Sequence, residues 1–335
     1  MSGLLDPDRP DGIRMSVAEA HALGSGACRR IGYSDEDAQI IVDQLIDNAL
    51  CGYRFASLPR ILAIASDPKT REPRRPVRIV HETPVSALVD GGNNVGYVAC
   101  YHTAQIAIAK ARQSGIASVG AYDSYYSGRN AYYANLVTDA GLVCLHIASA
   151  KPRVLPIGGV QPALGTNPIC IGFPSTKGPV IIDLGTASLM WGDVLLHAHL
   201  GQPIPAGIGF DGQGNPTTDA QKVQEGGVVP WGEHKGYGLS IAVQALGLLA
   251  GAAIPRKQAA DYGFYFIAID PKIMLPGGEF AQQMTDLISF IKSVRKRPGV
   301  NEIRIPSERS FRERERRRSE GLVFDTKVVE SLRAL

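Results

Sequence analysis

The sequence predicts an α/β protein with additional helical segments at its two ends. From residue 79 onward, short apolar runs alternate with segments of helical spacing, a pattern typical of strands and helices that follow each other. Residues 116–133 contain one such unit: an apolar run at 116–121, a polar loop at 123–128 and a helical segment. Because α/β proteins bind ligands at the carboxyl ends of strands, this loop is a candidate site. A tyrosine-rich turn packed on the core is the alternative.

The size and composition of the chain narrow the classes of protein that it fits. At 335 residues it exceeds one ordinary hydrophobic core, so we expect two or three domains. The net charge of +3 is too small to indicate nucleic-acid binding, and no apolar run has membrane-spanning length. The five cysteines lack C-x-x-C spacing, so we expect no disulfide framework and no metal site. The polar N-terminus lacks a secretion signal, which favours a cytoplasmic protein.

The first part of the chain carries helix signals. The pattern Ser-x-x-Glu that begins at Ser16 matches a capping box and predicts a helix to about Arg30. Ser34 repeats the N-cap signal before a second apolar helical face. A further apolar segment ends near Ala65, and the Pro- and Arg-rich residues 67–78 are expected to form a connector.

The middle and end of the chain are predicted to alternate between strands, helices and turn-rich loops. Strands are predicted at 85–90, 116–121, 142–149, 179–184 and 263–270. Helices are predicted from about 104 to 115 and over 129–139, 188–200, 239–250 and 280–297. Loops are predicted at 91–94, 123–128, 152–174 and 201–218.

Two charged features have an anion-binding and a structural interpretation each. The Gly-rich turn at 232–238 places Lys235 at the start of the most hydrophobic helix, where free backbone N–H groups favour an anion. The spacing is not that of a P-loop, and a plain turn is the alternative. The tail at 308–320 alternates Arg and Glu, which favours a solvated helix with i,i+4 pairs over a nucleic-acid arm. The residues alone therefore predict a cytoplasmic α/β enzyme with an anion site.

Four stretches, in order, carry a resemblance to a known family. They are L-G-T-N-P-I at 164–169, I-D-L-G-T-A-S at 182–188, G-Q-P-I-P at 201–205 with a turn at 211–219, and H-K-G-Y-G-L at 234–239. Together they resemble the malate/L-lactate dehydrogenase family of the non-Rossmann type, which includes hydroxy-acid dehydrogenases and reductases of cyclic imino acids.

The resemblance implies a fold, a cofactor and an assembly. It implies a non-Rossmann dinucleotide-binding fold on a mixed sheet, which agrees with the absence of a G-x-G-x-x-G fingerprint. Residues 79–284 would bind NAD or NADP, and 14–78 with 285–335 would form a helical dimerisation or substrate domain. The chain would be a homodimer with its active site near the interface. The residues implied on the cofactor side are Ser124, Gly128, Asn167, Asp183, Thr186, His234, Lys235 and Gly236.

The reaction implied by the resemblance is hydride transfer to or from the α-carbon of a small carboxylic acid. Arg60 stands where the family has an arginine, and a bidentate guanidinium suits a substrate carboxylate. The two histidines of the family fall on Tyr126 and Ala56. Lys151 stands where a small polar residue is common.

These replacements leave the chemistry open. A 2-oxo acid needs a proton donor near its oxygen, and Tyr126 would serve if a cation such as Lys151 lowered its pKa from about 10. A cyclic or N-substituted iminium is already protonated, so its reduction needs no acid in the hydride step. A third hypothesis is a cofactor-binding relative that has lost catalysis.

Overall fold

The N-terminal helices begin where the sequence predicts them. The computed structural model describes residues 12–254 and 262–335, so most of the polar N-terminus discussed above lies outside the described residues. A short strand β1 (Gly12–Met15) leads into helix α1 (Val17–Arg30), whose N-cap Ser16 and Glu19 form the predicted capping box. Helix α2 (Asp35–Leu50) is capped by Ser34, and α3 (Arg60–Ser66) follows after a loop.

The rest of the chain builds a sheet with helices around it. In chain order the elements are β2 (Arg78–Thr83), β3 (Ser86–Val95), α4 (Gly96–Ser114), β4 (Ile116–Tyr125), α5 (Asn130–Asp139), β5 (Val143–Ala148), β6 (Ile169–Phe173), β7 (Val180–Leu184), α6 (Trp191–His199), β8 (Gly209–Phe210), α7 (Ala220–Val223), β9 (Gly227–Val228), α8 (His234–Leu249), β10 (Phe264–Ile269), α9 (Phe280–Ser293), α10 (Glu308–Glu320), β11 (Leu322–Asp325) and α11 (Thr326–Ala334). Short 3₁₀ turns follow α3 and β10.

The central sheet is mixed, as the family resemblance implies. Its seven strands lie in the order β2-β3-β4-β10-β5-β6-β7. Strands β3 and β4 pair in parallel, and the other neighbours pair antiparallel. The order does not match a doubly wound Rossmann sheet, in which the strands are parallel.

The two faces of the sheet carry different helices. Val119 and Ala121 of β4 pack in one apolar cluster with α4 side chains such as Ala104. Gly120 faces the other way, where a Cβ atom would lie 2.7 Å from the Cα atom of Ala250 at the end of α8. Because successive residues of a strand point to opposite faces, α4 and α8 cover opposite faces of the sheet.

Two predicted loops begin too early, because the strands before them are longer than their apolar runs. The loop predicted at 91–94 is wrong, since β3 continues to Val95 across a register shift between Asp90 and Asn94. Its glycines form an irregular stretch of strand, in which Gly92 has a φ of +63°. Strand β4 likewise continues to Tyr125, so the first half of the predicted 123–128 loop is strand.

One strand of the central sheet lies entirely inside a stretch that was predicted to be a loop. Strand β6 (Ile169–Phe173) lies inside the Pro- and Gly-rich stretch that the sequence assigned to a loop. It is stabilised by partners that are distant in sequence, pairing with β5 on one side and β7 on the other. Proline and glycine density therefore hid a strand that depends on tertiary pairing.

The C-terminal part of the chain returns to the N-terminal helices. Strand β11 pairs with β1, and Leu332 of α11 packs in one buried cluster with Leu45 and Ile61. Helix α10 carries the predicted i,i+4 ion pairs, including Arg312 with Glu308. The solvated-helix interpretation of this tail is incomplete, because Arg314 of α10 reaches across to Asp47 of α2 at 2.9 Å. The division into domains 14–78 with 285–335 and 79–284 stays a prediction. No helix among residues 12–254 and 262–335 is both long and apolar enough to cross a membrane.

Candidate active site

A cleft of about 1710 Å³ lies between the helical part of the chain and one end of the sheet. Its walls come from the loop before α3, the turn between β4 and α5, the end of β7 and the segment that leads into α10. Five of the residues predicted from the sequence border it, namely Arg60, Tyr126, Gly128, Lys151 and Asp183. Residues far apart in the sequence thus share a cavity large enough for a substrate and a cofactor.

Tyr126 stands at the centre of this group. The guanidinium carbon of Arg60 lies 5.8 Å from the centroid of the Tyr126 ring, and the Lys151 ammonium lies 5.9 Å from it. Tyr126 follows the last residue of β4 and has a φ of +46°, in the left-handed region that side chains other than glycine rarely adopt. Such backbone strain is concentrated at functional sites.

The pKa of the Tyr126 phenol is raised from its ordinary value. Burial is the largest cause, and the carboxylate of Asp67 beside the phenol adds to it. Arg60 and Arg153 oppose this rise, but they do not reverse it. The expectation that a neighbouring cation such as Lys151 lowers this pKa is therefore corrected: the phenol is held protonated.

Three cations border the cleft near Tyr126. Arg60, Lys151 and Arg153 have no carboxylate partner within ion-pair distance in the described parts of the chain. Arg60 instead lies over the Phe55 ring at 5.1 Å, and Arg153 over the Trp191 ring at 4.2 Å. Half-buried cations that border a cleft without a carboxylate partner suit an anionic ligand.

Ala56 and Gly128 shape the space around these charges. Ala56 borders the cleft, and its carbonyl oxygen accepts a hydrogen bond of 2.9 Å from Asn48. Gly128 has a φ of +75°, and a Cβ atom there would lie 2.7 Å from both the Gln44 amide nitrogen and the Tyr97 ring. Only glycine fits this position without moving its neighbours.

Three residues in or beside the site belong to no sequence motif. Tyr97 of α4 borders the cleft with a buried hydroxyl that has no hydrogen-bond partner in the described chain, and burial raises its pKa to about 12. Asn130 also borders the cleft, and its buried amide has no hydrogen-bond partner within residues 12–254 and 262–335. Asp67 lies in a segment that the sequence marks only as a connector. Each gains its place through tertiary packing, so a motif search does not find it.

Asp183 lies at the end of β7, where it is open to the cleft and otherwise surrounded by protein atoms. Its carboxylate accepts a hydrogen bond of 2.8 Å from the backbone N–H of Ala131, in the first turn of α5. Desolvation raises the pKa of this carboxyl group, although the Ala131 N–H and Arg129 favour its charged form. The acid thus satisfies a free N–H group of a helix whose N-cap residue offers no side-chain cap.

Three of the predicted cofactor-side residues are occupied inside the protein. The hydroxyl of the fully buried Ser124 donates to the Asn94 carbonyl at 2.6 Å. Thr186 donates to the Thr166 carbonyl at 3.1 Å. Asn167 donates to the Ser240 carbonyl at 2.9 Å and accepts from a backbone N–H, so it ties its loop to α8. Their cofactor role stays a prediction.

The predicted anion turn forms the start of α8, beside the cleft and not among the residues that border it. His234 and Lys235 are exposed, and the N-cap residue Glu233 provides no side-chain cap. Gly236 is buried, and a Cβ atom there would lie 2.1 Å from the Trp231 carbonyl oxygen, so this glycine is required by packing. The backbone N–H of Trp231 donates to the Thr186 carbonyl at 2.7 Å, which fixes the turn next to the strand end at 184.

Over residues 12–254 and 262–335, no group of three or more His, Cys, Asp or Glu side chains is arranged to hold a metal ion.

Comparison with known proteins gives a consistent result. A model of the malate/L-lactate dehydrogenase family matches residues 15–333. The chain is 32% identical over 331 residues to L-sulfolactate dehydrogenase of Methanothermobacter thermautotrophicus, covering 96% of this chain and 95% of that protein. It is 29% identical over 338 residues to Δ1-pyrroline-2-carboxylate reductase of Ancylobacter novellus, covering 96% and 97%.

The fold gives the same answer. The structure of malate dehydrogenase from Pyrococcus horikoshii OT3 matches with a TM-score of 0.86 and 28% identity, covering 97% of this chain and 95% of that one. Its chain and ours therefore share one fold over nearly their full lengths. Because the family model spans almost the whole sequence, the chain belongs to the malate/L-lactate dehydrogenase family and is an oxidoreductase.

Proposed function

We propose that the protein transfers a hydride between NAD(P)H and the α-carbon of a small 2-oxo or 2-hydroxy carboxylic acid. The observation that carries this proposal is the meeting of Arg60, Tyr126 and Lys151 in one cleft. The set combines a bidentate binder of carboxylates, a protonated phenol and a second cation. A 2-oxo acid presents a carboxylate next to a carbonyl oxygen, which matches these groups.

The cleft also fits a pyridine dinucleotide. Its volume of about 1710 Å³ is well above what a small acid fills. The residues that border it include the apolar Ile181 and Leu184 and also Asn130, whose buried amide has no partner among the described residues. The exposed Lys235 at the start of α8, beside the cleft, offers positive charge to phosphate groups. The expectation of free N–H groups there is corrected, because the backbone N–H groups of residues 235–237 already donate to carbonyl groups of the same turn. NAD and NADP both remain candidates.

Each residue has a distinct task in the proposed reaction. A bound pyridine dinucleotide supplies or accepts the hydride. Arg60 holds the substrate carboxylate, and Lys151 adds a second positive charge near the Tyr126 ring. As negative charge develops on the carbonyl oxygen, the Tyr126 phenol donates its proton, and the unpaired cations stabilise the charge until it does so. Asp67 keeps the phenol protonated before the reaction.

Reduction of a cyclic or N-substituted 2-imino acid is the second candidate. The raised pKa of Tyr126 favours it, because a phenol that holds its proton tightly is a weak acid for a ketone. An iminium substrate carries its proton already and asks only for a carboxylate clamp and a hydride donor. The relative from Ancylobacter novellus is named as a reductase of this kind.

A homodimer is proposed as the assembly. Apolar side chains of α8 support it, since Ile241, Leu248 and Leu249 are 47%, 43% and 66% exposed in the single chain. Light scattering coupled to size exclusion would measure the mass, and a monomer at micromolar concentration would contradict the proposal.

The function is tested by following NADH and NADPH oxidation with a panel of 2-oxo acids, with and without methylamine, and with preformed Δ1-pyrroline-2-carboxylate and Δ1-piperideine-2-carboxylate. Turnover of free 2-oxo acids, lowered about 10²-fold or more in Tyr126→Phe, would establish a ketoacid reductase with a phenol donor. Turnover of imines alone, with Tyr126→Phe within a few-fold of the wild type, would establish an imine reductase. Cofactor binding without any turnover would favour the third hypothesis, a relative that has lost catalysis.

A further inference from the structure

Asn130, the first residue of α5, has an amide group with no hydrogen-bond partner in the part of the chain that the structure describes. The residue is 2% exposed, and neither its amide oxygen nor its amide nitrogen has a hydrogen-bond partner among the described residues. Buried polar groups are almost always paired, so an amide with both ends free needs an explanation. The explanation that we consider is that the hydrogen-bond partner of this amide belongs to a bound ligand.

The position of Asn130 limits the kinds of ligand group that its amide could bind. Asn130 borders the cleft four residues after Tyr126, where α5 begins after the turn that follows β4. The neighbouring Ala131 N–H is already bound to the carboxylate of Asp183, which holds the start of the helix in place. The free amide therefore stands on a fixed element, close in the chain to the phenol at the proposed reaction centre.

The hydrogen-bonding chemistry of an amide limits the choice of ligand group further. A carboxamide offers N–H donors and one carbonyl acceptor, side by side. A substrate carboxylate only accepts hydrogen bonds, so it would leave the Asn130 oxygen unpaired, and unpaired cations are already available for it at Arg60 and Lys151. A second carboxamide satisfies both ends of the first. The nicotinamide ring carries such a group, and it must lie next to the substrate for a hydride to pass.

We propose that Asn130 pairs with the carboxamide of the nicotinamide ring. The pair fixes the rotation of the ring and thereby the ring face that is turned toward Tyr126 and the substrate. This inference rests on the proposed function, since it requires a pyridine dinucleotide in the cleft. It adds the residue that orients the reacting half of that cofactor.

Binding calorimetry tests the pair without relying on turnover. The probes are NAD or NADP, whichever the wild type binds more tightly, the 3-acetylpyridine analogue in which a methyl ketone replaces the carboxamide, and ADP-ribose or its 2′-phosphate, which lack the ring. The variant is Asn130→Ala. Its matched control is Asn135→Ala on the same helix, whose amide bonds to Asp139 and does not border the cleft.

The expected result is a difference in affinity between the variants and between the probes. Asn130→Ala binds the natural cofactor about tenfold more weakly, the loss expected for one or two neutral hydrogen bonds. The wild type binds the acetylpyridine analogue more weakly than the natural cofactor, and Asn130→Ala closes that gap. The affinities of the wild type and both variants for ADP-ribose (or its 2′-phosphate), the ribose probe, agree within about twofold. This agreement also shows that the variants fold.

Three other results overturn the inference. An equal loss with the ribose probe would mean that Asn130 contacts the adenine half or only supports the fold. Unchanged affinity for all probes would mean that the amide binds water. No binding of any dinucleotide by the wild type would refute the proposed function itself, and this result is distinguishable from the other two because it does not depend on the variant.

Discussion

The guanidinium carbon of Arg60 and the ring of Tyr126 lie 5.8 Å apart, although 66 positions separate the two residues in the chain. Arg60 begins α3 in the helical part, whereas Tyr126 follows β4 of the sheet. The candidate site therefore exists only when these two parts of the fold are docked. Any change that alters their docking is expected to alter activity as well as stability.

Arg60→Ala is expected to weaken the use of carboxylate substrates. The loss of charge-assisted hydrogen bonds is worth roughly 3 kcal/mol, or about 10²-fold in kcat/KM, and appears mainly in KM. Arg60→Lys recovers only part of this, because an ammonium lacks the planar fork. Steady-state kinetics with an acid and its methyl ester give the measurement.

Comparing the acid with its methyl ester shows whether Arg60 contacts the substrate carboxylate. The wild type should discriminate strongly against the methyl ester, and Arg60→Ala should treat acid and ester almost alike. Arg71→Ala, an exposed arginine in the 3₁₀ turn after α3, serves as the control and should behave as the wild type. An equal fall for acid and ester in Arg60→Ala would assign Arg60 to the fold or to the cofactor.

Asp67→Asn is expected to lower the pKa of Tyr126. Burial and the Asp67 carboxylate both raise this pKa, so removal of the charge returns it toward its ordinary value. In the wild type the folded pKa is raised, so its contribution to stability is present below about pH 10 and is lost as the pH rises through the folded value. Asparagine retains the capping role that Asp67 has toward Lys69.

Tyrosinate absorbance at 295 nm measures this shift. The difference between each protein and its Tyr126→Phe form isolates the titration of Tyr126. The midpoint should fall in Asp67→Asn and stay in place in Glu72→Gln, which removes an exposed carboxylate from the same connector. If ketone reduction depends on the phenol, Asp67→Asn should also move the alkaline limb of kcat to lower pH. An unchanged midpoint would show that burial alone holds the proton.

Local signals predicted much of the fold, and tertiary partners explain what they missed. The capping box at Ser16 and the N-cap at Ser34 fixed the starts of two helices, because capping depends on residues within one turn. Strand β6 and the second half of β4 depend on pairing with strands distant in sequence, so their own composition did not reveal them.

The candidate site divides in the same way. Arg60, Tyr126 and Lys151 were found through motif positions, and the structure brings them together. Asp67 and Asn130 have no motif, and they matter only through a phenol or a cavity that the fold supplies. Residue spacing in the sequence cannot predict a side chain that matters because its partner is absent or distant in sequence.

Asp47→Asn is expected to destabilise the protein strongly. Asp47 of α2 pairs with Arg129 at the start of α5 and with Arg314 of α10, and the exposed fractions of these side chains are only 10–15%. Removing the carboxylate leaves two poorly solvated cations without their partner, which costs about 3 kcal/mol or more. Urea unfolding at equal protein concentration measures the free energy of unfolding.

The matched control lies on the same helix. Asp35 pairs with Arg29 at 3.0 Å, with exposed fractions of 85% and 53%. Asp35→Asn should cost under about 1 kcal/mol, including its favourable position in the first helical turn. Similar losses in both variants would mean that the cluster around Asp47 is better solvated than its geometry indicates.

Gly128→Ala is expected to damage both stability and activity, and Gly141→Ala separates the causes. The two glycines have similar φ values, +75° and +81°, so alanine pays the same backbone strain of about 1 kcal/mol in each. No described atom lies within 4 Å of a Cβ atom at Gly141, whereas one at Gly128 would meet Tyr97 and Gln44 at 2.7 Å. Gly128→Ala should therefore cost about 1–3 kcal/mol beyond the control.

The extra destabilisation of Gly128→Ala is expected to affect function, because Gly128 lies in the turn that carries Tyr126. To relieve the contact, either the Tyr97 ring or the turn itself must shift, and both border the cleft. We expect kcat/KM to fall in Gly128→Ala and to stay near the wild-type value in Gly141→Ala, with unfolding followed by urea and turnover followed by cofactor absorbance. Equal unfolding free energies and equal turnover in the two variants would show that the turn tolerates a Cβ atom, and that its glycine serves only the backbone conformation.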